Sequence, residues 1–291
     1  MSANSGLVKI SVTSQGMVYR LVCGNTTLIL KFFRPAKTFL LNGYNLKPLL
    51  KRDRLRVSTR TYNKLKTYKR IVEYLPPDLW TFPGYGLIIT SERNGDFINL
   101  SKLLKACNSI TILPKIHKLT RDWLSVESSN HEPPKEFNNR SVWVLKRDLQ
   151  IIKPLSFIFR ENEIINFIRQ LGPMKYFSHG DLQPKNILVT GNELEIVDFE
   201  EGFFAPLAWD VGFLWGNLLY LTAYYEKEFV KYYQTWLLLR SRMKSSTRRN
   251  FTIITIAIFL MRMWMFPLEK LSKRKEIILR KKVIKMKELL F

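Results

Sequence analysis

Residues 177–200 read FSHGDLQPKNILVTGNELEIVDFE, and no other stretch of the chain restricts its fold as tightly. Asp181 and Asn186 stand five apart in a polar loop. An apolar run at 187–189, the turn-forming Thr190-Gly191-Asn192 and a second apolar run at 194–197 then predict a β-hairpin. Two strands of matched length return the chain to the end from which it left, so Asp198 is expected back beside Asn186. An amide oxygen and a carboxylate gathered there can share a hard cation. Asp181 is left to face whatever is brought to the loop.

The rest of the chain supplies a setting for that hairpin. Val8, Ile10 and Val12 share one face of a strand, Ser14-Gln15-Gly16 makes a turn, and 17–22 forms the second strand. Gly24-Asn25 turns into a third strand over 27–33. There the period of two puts Ile29, Lys31 and Phe33 on one side. A lysine between apolar neighbours needs a reason, either an edge that must stay soluble or an anion to bind. Basic residues dominate 47–70, where Asp53 is the only acid. Apolar spacing predicts a helix over 59–75, ended by Pro76-Pro77 because proline brings no amide donor. A strand over 85–90 and a polar connection over 91–95 follow, with helix again around 100–107. The segment 130–140 reads as a loop, 161–171 as a helix, and everything after Trp209 as helices. The expected class is α+β and bilobal: a small antiparallel-sheet lobe over 1–94 and a larger, mostly helical lobe over 95–291, with the chemistry where they meet.

His-Gly-Asp-Leu-x-Pro-x-Asn-Ile-Leu followed by Ile-Val-Asp-Phe-Glu resembles the catalytic and metal-binding motifs of the aminoglycoside phosphotransferase and choline kinase-like superfamily. The continuation Phe203-Phe204-Ala205-Pro206-Leu207-Ala208-Trp209-Asp210-Val211-Gly212, on to Gly216-Asn217-Leu218-Leu219, is similar to the corresponding stretch of methylthioribose kinases. The strong part of the match covers roughly 177–219, and the first lobe matches in layout alone. The resemblance implies a protein-kinase-like fold using ATP and Mg2+. Asp181 would then be the catalytic base or hydroxyl-orienting group, and Asn186 and Asp198 the magnesium ligands. His179 would be structural, and Asp210 would hold the catalytic loop from the start of a buried helix. Lys31 looks like the strand lysine that pairs with ATP phosphates, and Gly16 lies in what resembles the phosphate-covering turn. Backbone groups near Ser91, Glu92 and Arg93 would hold adenine. In one respect the chain departs from the pattern. The helix glutamate that usually pairs with the strand lysine is missing, since no glutamate occurs between Lys31 and Val72. Asp53 and Glu73 are the candidate substitutes. The alternative is a catalytically degenerate kinase fold that binds an anionic surface, either membrane or nucleic acid.

Asp198 and Asp210 are only about a dozen residues apart, which leaves little room for the long segment on which protein kinases dock a peptide. A small molecule with a hydroxyl is therefore the expected acceptor. The chain has 47 basic against 24 acidic residues, a net charge of +23. A polycationic acceptor such as an aminoglycoside fits that balance poorly, and a sugar or an anionic, glycan-type acceptor fits it better. The basic stretch 47–70 also keeps nucleic acid in view as a partner. At the C-terminus Leu279, Val283, Met286 and Leu290 form one helical face among Arg280, Lys281, Lys282, Lys285 and Lys287. That pattern suits a final helix packed on its lobe, or peripheral contact with an anionic membrane. Cys23 and Cys107 make neither a disulfide framework nor a zinc site, and no secretory signal is evident, so a cytoplasmic location is expected. The apolar stretches 203–225 and 251–266, interrupted by Asp210 and Arg262, read as buried helices rather than membrane spans.

Overall fold

The computed structural model describes residues 6–12, 16–23, 26–33, 40–41, 44–45, 51–82, 84–92, 98–106, 110–127, 140–191, 193–226, 228–265 and 272–290. The chain divides into two compact units, Met1–Phe97 with Glu195–Gly202, and Ile98–Leu194 with Phe203–Phe291.

The first unit is built on strands β1 (Gly6–Val12), β2 (Gly16–Cys23) and β3 (Thr26–Phe33), as the alternating pattern predicts. A two-residue ladder of β4 (Leu40–Leu41) and β5 (Tyr44–Asn45) follows. The strands β6 (Leu79–Phe82) and β7 (Leu87–Glu92) complete an antiparallel sheet in the order β1-β2-β3-β7-β6. Lys31 sits in β3, paired with Val18 on one side and Ile88 on the other. It is thus on a central strand, so edge solubilisation does not explain it. Phe33, Leu55 and Ile88 form the apolar core, with Leu79 packed against it.

Helix α1 runs over Lys51–Lys66, earlier than the helix expected over 59–75. Its first two turns carry so many charges that the apolar period is hard to see, yet Leu55, Ser58, Tyr62 and Leu65 are all buried along one stripe. Thr67 closes the helix by donating its hydroxyl to the Lys64 carbonyl at 2.7 Å, and only a short 3-10 turn, Val72–Tyr74, precedes the prolines. The prolines receive the Tyr62 hydroxyl, 2.9 Å from the carbonyls of both Pro76 and Pro77. Strand β6 went unforeseen, because four residues with one half-buried and one exposed face, the exposed one carrying Trp80 and Phe82, give a weak signal. Strand β7 starts at Leu87 rather than Tyr85, because Gly86 adopts φ +63° and Tyr85 turns back to the Phe82 carbonyl at 3.1 Å.

The second unit is mainly helical. A short strand β8 (Ile98–Asn99) leads into α2 (Leu100–Ala106), then α3 (Leu113–Glu127) and α4 (Arg140–Arg147). A π-helical turn, Asp148–Ile152, connects to α5 (Lys153–Leu155), and α6 (Glu161–Gln170) follows. Strand β9 (Tyr176–Ser178) enters the motif, β10 (Ile187–Thr190) pairs antiparallel with β8, and β11 (Glu193–Ile196) carries the chain into the first unit. On its return, β12 (Phe203–Ala205) pairs antiparallel with β9. The remainder is α7 (Trp209–Tyr224), α8 (Phe229–Ser241), α9 (Ser245–Trp264) and α10 (Lys273–Lys287).

Every residue of α7 is buried, and no helix among the described residues is long and apolar enough to cross a membrane. Leu279, Val283 and Met286 of α10 are buried too. The face considered for membrane contact is therefore covered by protein, and Leu290 falls in the following 3-10 turn. Lysines flanking that face lie over aromatic rings: Lys275 over Tyr224 at 4.0 Å and Lys282 over Phe229 at 4.5 Å. Such contacts hold a cation against its own domain.

Two glycines let α7 and α9 approach closely. A Cβ on Gly216 would lie 2.6 Å from Ile258 Cβ and 2.7 Å from the Thr255 carbonyl oxygen, and one on Gly212 would lie 2.8 Å from Ile254 Cβ. A backbone oxygen cannot step aside. Gly216→Ala is expected to destabilise the protein by roughly 1–3 kcal/mol despite alanine's better helix propensity. Urea denaturation checks this against Gly84→Ala, whose Cβ would meet nothing within 4 Å.

Candidate active site

The loop after β9 is fixed by a single carboxylate. Asp210, in the first turn of α7, is fully buried. It accepts hydrogen bonds from Trp123 Nε1 at 3.0 Å, Ser178 Oγ at 2.7 Å and the backbone amides of His179 at 2.6 Å and Gly180 at 3.0 Å. Donors of this kind are what a buried carboxylate requires, and the positive end of α7 adds to them. Gly180 takes φ +84°, which a side chain would oppose. Its carbonyl accepts from Lys146 Nζ at 2.8 Å, and that ammonium also lies over the Phe203 ring at 5.1 Å. The loop is thus held through its amides on one side and its carbonyl on the other. The buried His179 imidazole lies beneath it and accepts the Asp181 amide at Nδ1, 3.3 Å away.

This anchorage presents Asp181, whose side chain keeps 14% of its surface exposed. Gln183 Nε2 donates to its Oδ1, and Asn186 Nδ2 donates to its Oδ2 and its backbone carbonyl, both at 2.9 Å. Gln183 is itself held: its Oε1 accepts from Arg262 Nη2 at 2.6 Å, while Arg262 Nε donates to Asn217 Oδ1 at 2.7 Å. Asn217 closes the line by donating to the Phe213 carbonyl at 2.8 Å. Burial lowers the pKa of Arg262 from its ordinary value, and the charge of Asp181 opposes that shift. Gln183, Asn217, Arg262, Lys146 and Trp123 were not anticipated from sequence. Arg262 did carry a signal, since an arginine inside an apolar helix must find acceptors.

In the first unit, Lys31 Nζ bonds to Asp198 Oδ1 and to Glu200 Oε2, the latter at 3.1 Å. Burial alone would lower its pKa, but the two carboxylates outweigh burial and raise it. Asp198 adopts φ +73°, a left-handed conformation that aspartate tolerates better than most residues. These two carboxylates lie outside the pair considered from sequence, Asp53 and Glu73. Glu73 is exposed on its 3-10 turn, and the Asp53 side chain lies outside the described residues. Gly16 opens β2 opposite Phe33, while Ser14, Gln15 and Arg93 lie outside the described residues. Ser91 and Glu92 end β7 opposite Leu28 and Thr27. The Ser91 amide donates to the Asp78 carbonyl at 3.3 Å, and its hydroxyl accepts the Asp78 amide at 3.0 Å.

The donor chemistry fits magnesium. In the second unit Asn186 turns its amide nitrogen to Asp181, which leaves a side-chain oxygen of the type magnesium takes; in the first unit Asp198 carries a carboxylate. No group of three or more His, Cys, Asp or Glu side chains able to hold a metal occurs among the described residues. Magnesium is commonly held by one or two protein carboxylates, with water and phosphate completing its shell, and does not need an all-protein cage.

Residues 112–244 match the model of the phosphotransferase enzyme family. Methylthioribose kinase of Yersinia pestis is 26% identical over 145 residues, covering 47% of this chain and 32% of that protein. The alignment thus spans about a third of the relative's length. Methylthioribose kinase 2 of Oryza sativa is 36% identical over 52 residues, covering 18% of this chain and 12% of the relative. Among solved structures, a choline/ethanolamine kinase family protein from Mesorhizobium loti superposes with a TM-score of 0.52 at 17% identity, covering 99% of this chain and 89% of that one. Choline kinase from Cryptosporidium parvum gives 0.52 at 12% identity, covering 100% and 91%. At such identities the likeness is one of fold. The fold is kinase-like, as the motif spacing leads one to expect, and the resemblance to phosphotransferases holds over the matched region.

Proposed function

We propose, on the premise that residues 112–244 match the phosphotransferase enzyme family, that this chain is an ATP-dependent kinase phosphorylating a hydroxyl of a small molecule. One observation carries the proposal: a part-exposed Asp181, both of whose carboxylate oxygens are fixed by side-chain donors, on a loop pinned by a buried Asp210. Such a group can receive an acceptor hydroxyl as a hydrogen bond, align its oxygen for in-line attack and take its proton. Lys31 is assigned to the ATP phosphates, Gly16 to the turn above them, and the backbone of Ser91, Glu92 and Arg93 to adenine. Asn186 and Asp198 are assigned as ligands of magnesium, which when bound supplies positive charge against the polyphosphate. His179 and Asp210 support the loop.

The relatives named as kinases of methylthioribose and choline support a small acceptor over a peptide. The short interval between Asp198 and Asp210 supports it independently. The excess of basic residues favours a sugar or anionic acceptor over a polycation. We place the activity in the cytoplasm, where two cysteines far apart in sequence stay reduced.

The test is calorimetric titration of the full chain with ATP, with and without magnesium chloride, followed by a panel of hydroxylated metabolites scored for ADP release. Magnesium-dependent binding and ADP release with at least one acceptor are expected. A folded protein that binds no nucleotide in the presence of magnesium would return the chain to the class of degenerate binding modules.

A further inference from the structure

The missing helix glutamate is a departure from the pattern the chain resembles, and three observations within the first unit bear on it. First, Glu200 is only 4% exposed in its side chain and lies 3.1 Å from Lys31 Nζ. A buried carboxylate at that distance from a half-buried ammonium is a charge-assisted contact that fixes both groups. Second, Lys31 also bonds to Asp198, the residue assigned to magnesium. When a cation takes that carboxylate, a lysine with no other acid loses the partner that directs it, and Glu200 remains. Third, the described side chains of α1, 55–66, include no acid. Leu55, Ser58 and Tyr62 lie on one stripe of the helix, at 2%, 1% and 3% exposure. Leu55 clusters with Phe33, two residues from Lys31 on the same strand face, and the Tyr62 ring packs edge-on to Phe199 with centroids 5.8 Å apart. Ser58 therefore falls between a residue that packs on Phe33 and one that packs on Phe199, and among the described residues its buried hydroxyl has no hydrogen-bond partner. The next residues on the helix confirm how close it comes to this turn, since a Cβ on Gly202 would lie 2.0 Å from Thr61 Oγ1.

We propose that Glu200, the third residue of the Asp-Phe-Glu motif, is the positioning residue that replaces the helix glutamate and holds Lys31 toward the nucleotide phosphates, Ser58 marking the place on α1 that the glutamate has vacated. The anchor of the lysine has moved from the helix to the metal-binding turn, so one short segment supplies both the carboxylate for magnesium and the carboxylate for the lysine. This rests on the kinase reading above, and the experiment separates the two. Its probe is a non-hydrolysable ATP analogue with magnesium chloride, titrated calorimetrically into the full chain, with thermal melting of each variant recorded alongside.

Glu200→Gln keeps the side chain's volume and removes its charge. It is expected to weaken binding of the analogue roughly tenfold to a hundredfold, as much as Lys31→Met does, without a matching fall in melting temperature. Glu200→Asp keeps the charge one methylene short and should recover part of the affinity; it also serves as the readout should the glutamine variant not fold. In the Glu200→Ala background, Ser58→Glu should restore binding, which a merely structural role for Glu200 would not permit. Wild-type affinity in both Glu200→Gln and Glu200→Asp, with Lys31→Met impaired, overturns the inference and leaves the kinase reading standing. A wild-type chain that binds no analogue removes the kinase reading, and the inference with it.

Discussion

Exchanging Asp181 for asparagine is expected to leave a folded protein whose turnover is lower by roughly 10²–10⁴-fold, the usual contribution of a positioned general base. The substitution preserves volume and removes the charge. In the native loop the two carboxylate oxygens take different donors, Gln183 on one and Asn186 on the other. Asparagine can satisfy one and must turn its own amide toward the second, so it forfeits the proton acceptor and also the alignment of the group that replaces it. Because Asp181 is part-exposed, water relieves much of the misfit and the melting temperature should move little. The measurement is ADP release under saturating ATP and acceptor, set beside the affinity for ATP alone. A large fall in kcat with nucleotide affinity retained is the expected signature. Turnover within a few-fold of wild type would remove Asp181 from the chemistry.

What could be read beforehand, and what could not, divides along sequence separation. The loop from His179 to Asn186 is legible because its functional atoms are supplied by neighbours a few residues apart, whose spacing is set by local backbone geometry. The strands of the first unit are legible for a similar reason, since their alternation and turn residues are local. Helix α1 was displaced in the reading because the charged run at 51–56 hides Leu55, the first residue of its buried stripe, while the two prolines marked only where a helix could not continue. The partner of Lys31 was left open in the reading because Glu200 lies 169 residues away, and nothing in a linear pattern shows which acid a strand lysine will meet. Arg262 is the instructive intermediate case. Its presence inside an apolar run announced a buried acceptor, but that the acceptor is Gln183, 79 residues earlier and in contact with Asp181, is visible only in three dimensions.

The second large effect falls on Asp210, and here stability and activity should be lost together. Asp210→Ala removes a carboxylate that an indole N–H, a serine hydroxyl and two backbone amides share at a fully buried position. Each such orphaned donor costs about 1–3 kcal/mol, and because the four share one site the costs do not add. A net loss of about 3–5 kcal/mol is the expectation for breaking a buried charged contact, corresponding to a melting temperature lower by roughly 10 °C in a chain of this size. Asp210→Asn is the sharper variant. It keeps one oxygen for the donors and points an amide at the rest, so it should recover part of the volume-related loss without recovering the loop. Ser178 Oγ also bonds the Gly180 amide at 2.9 Å, which gives the loop a second, weaker tie once the carboxylate is gone. Activity should therefore fall further than the fraction unfolded explains, because His179 and Gly180 set the register in which Asp181 is presented. Measuring turnover well below the variant's melting temperature separates the two effects. If Asp210→Asn there retains wild-type turnover, the carboxylate serves stability alone and the loop is positioned by Lys146 and its own backbone.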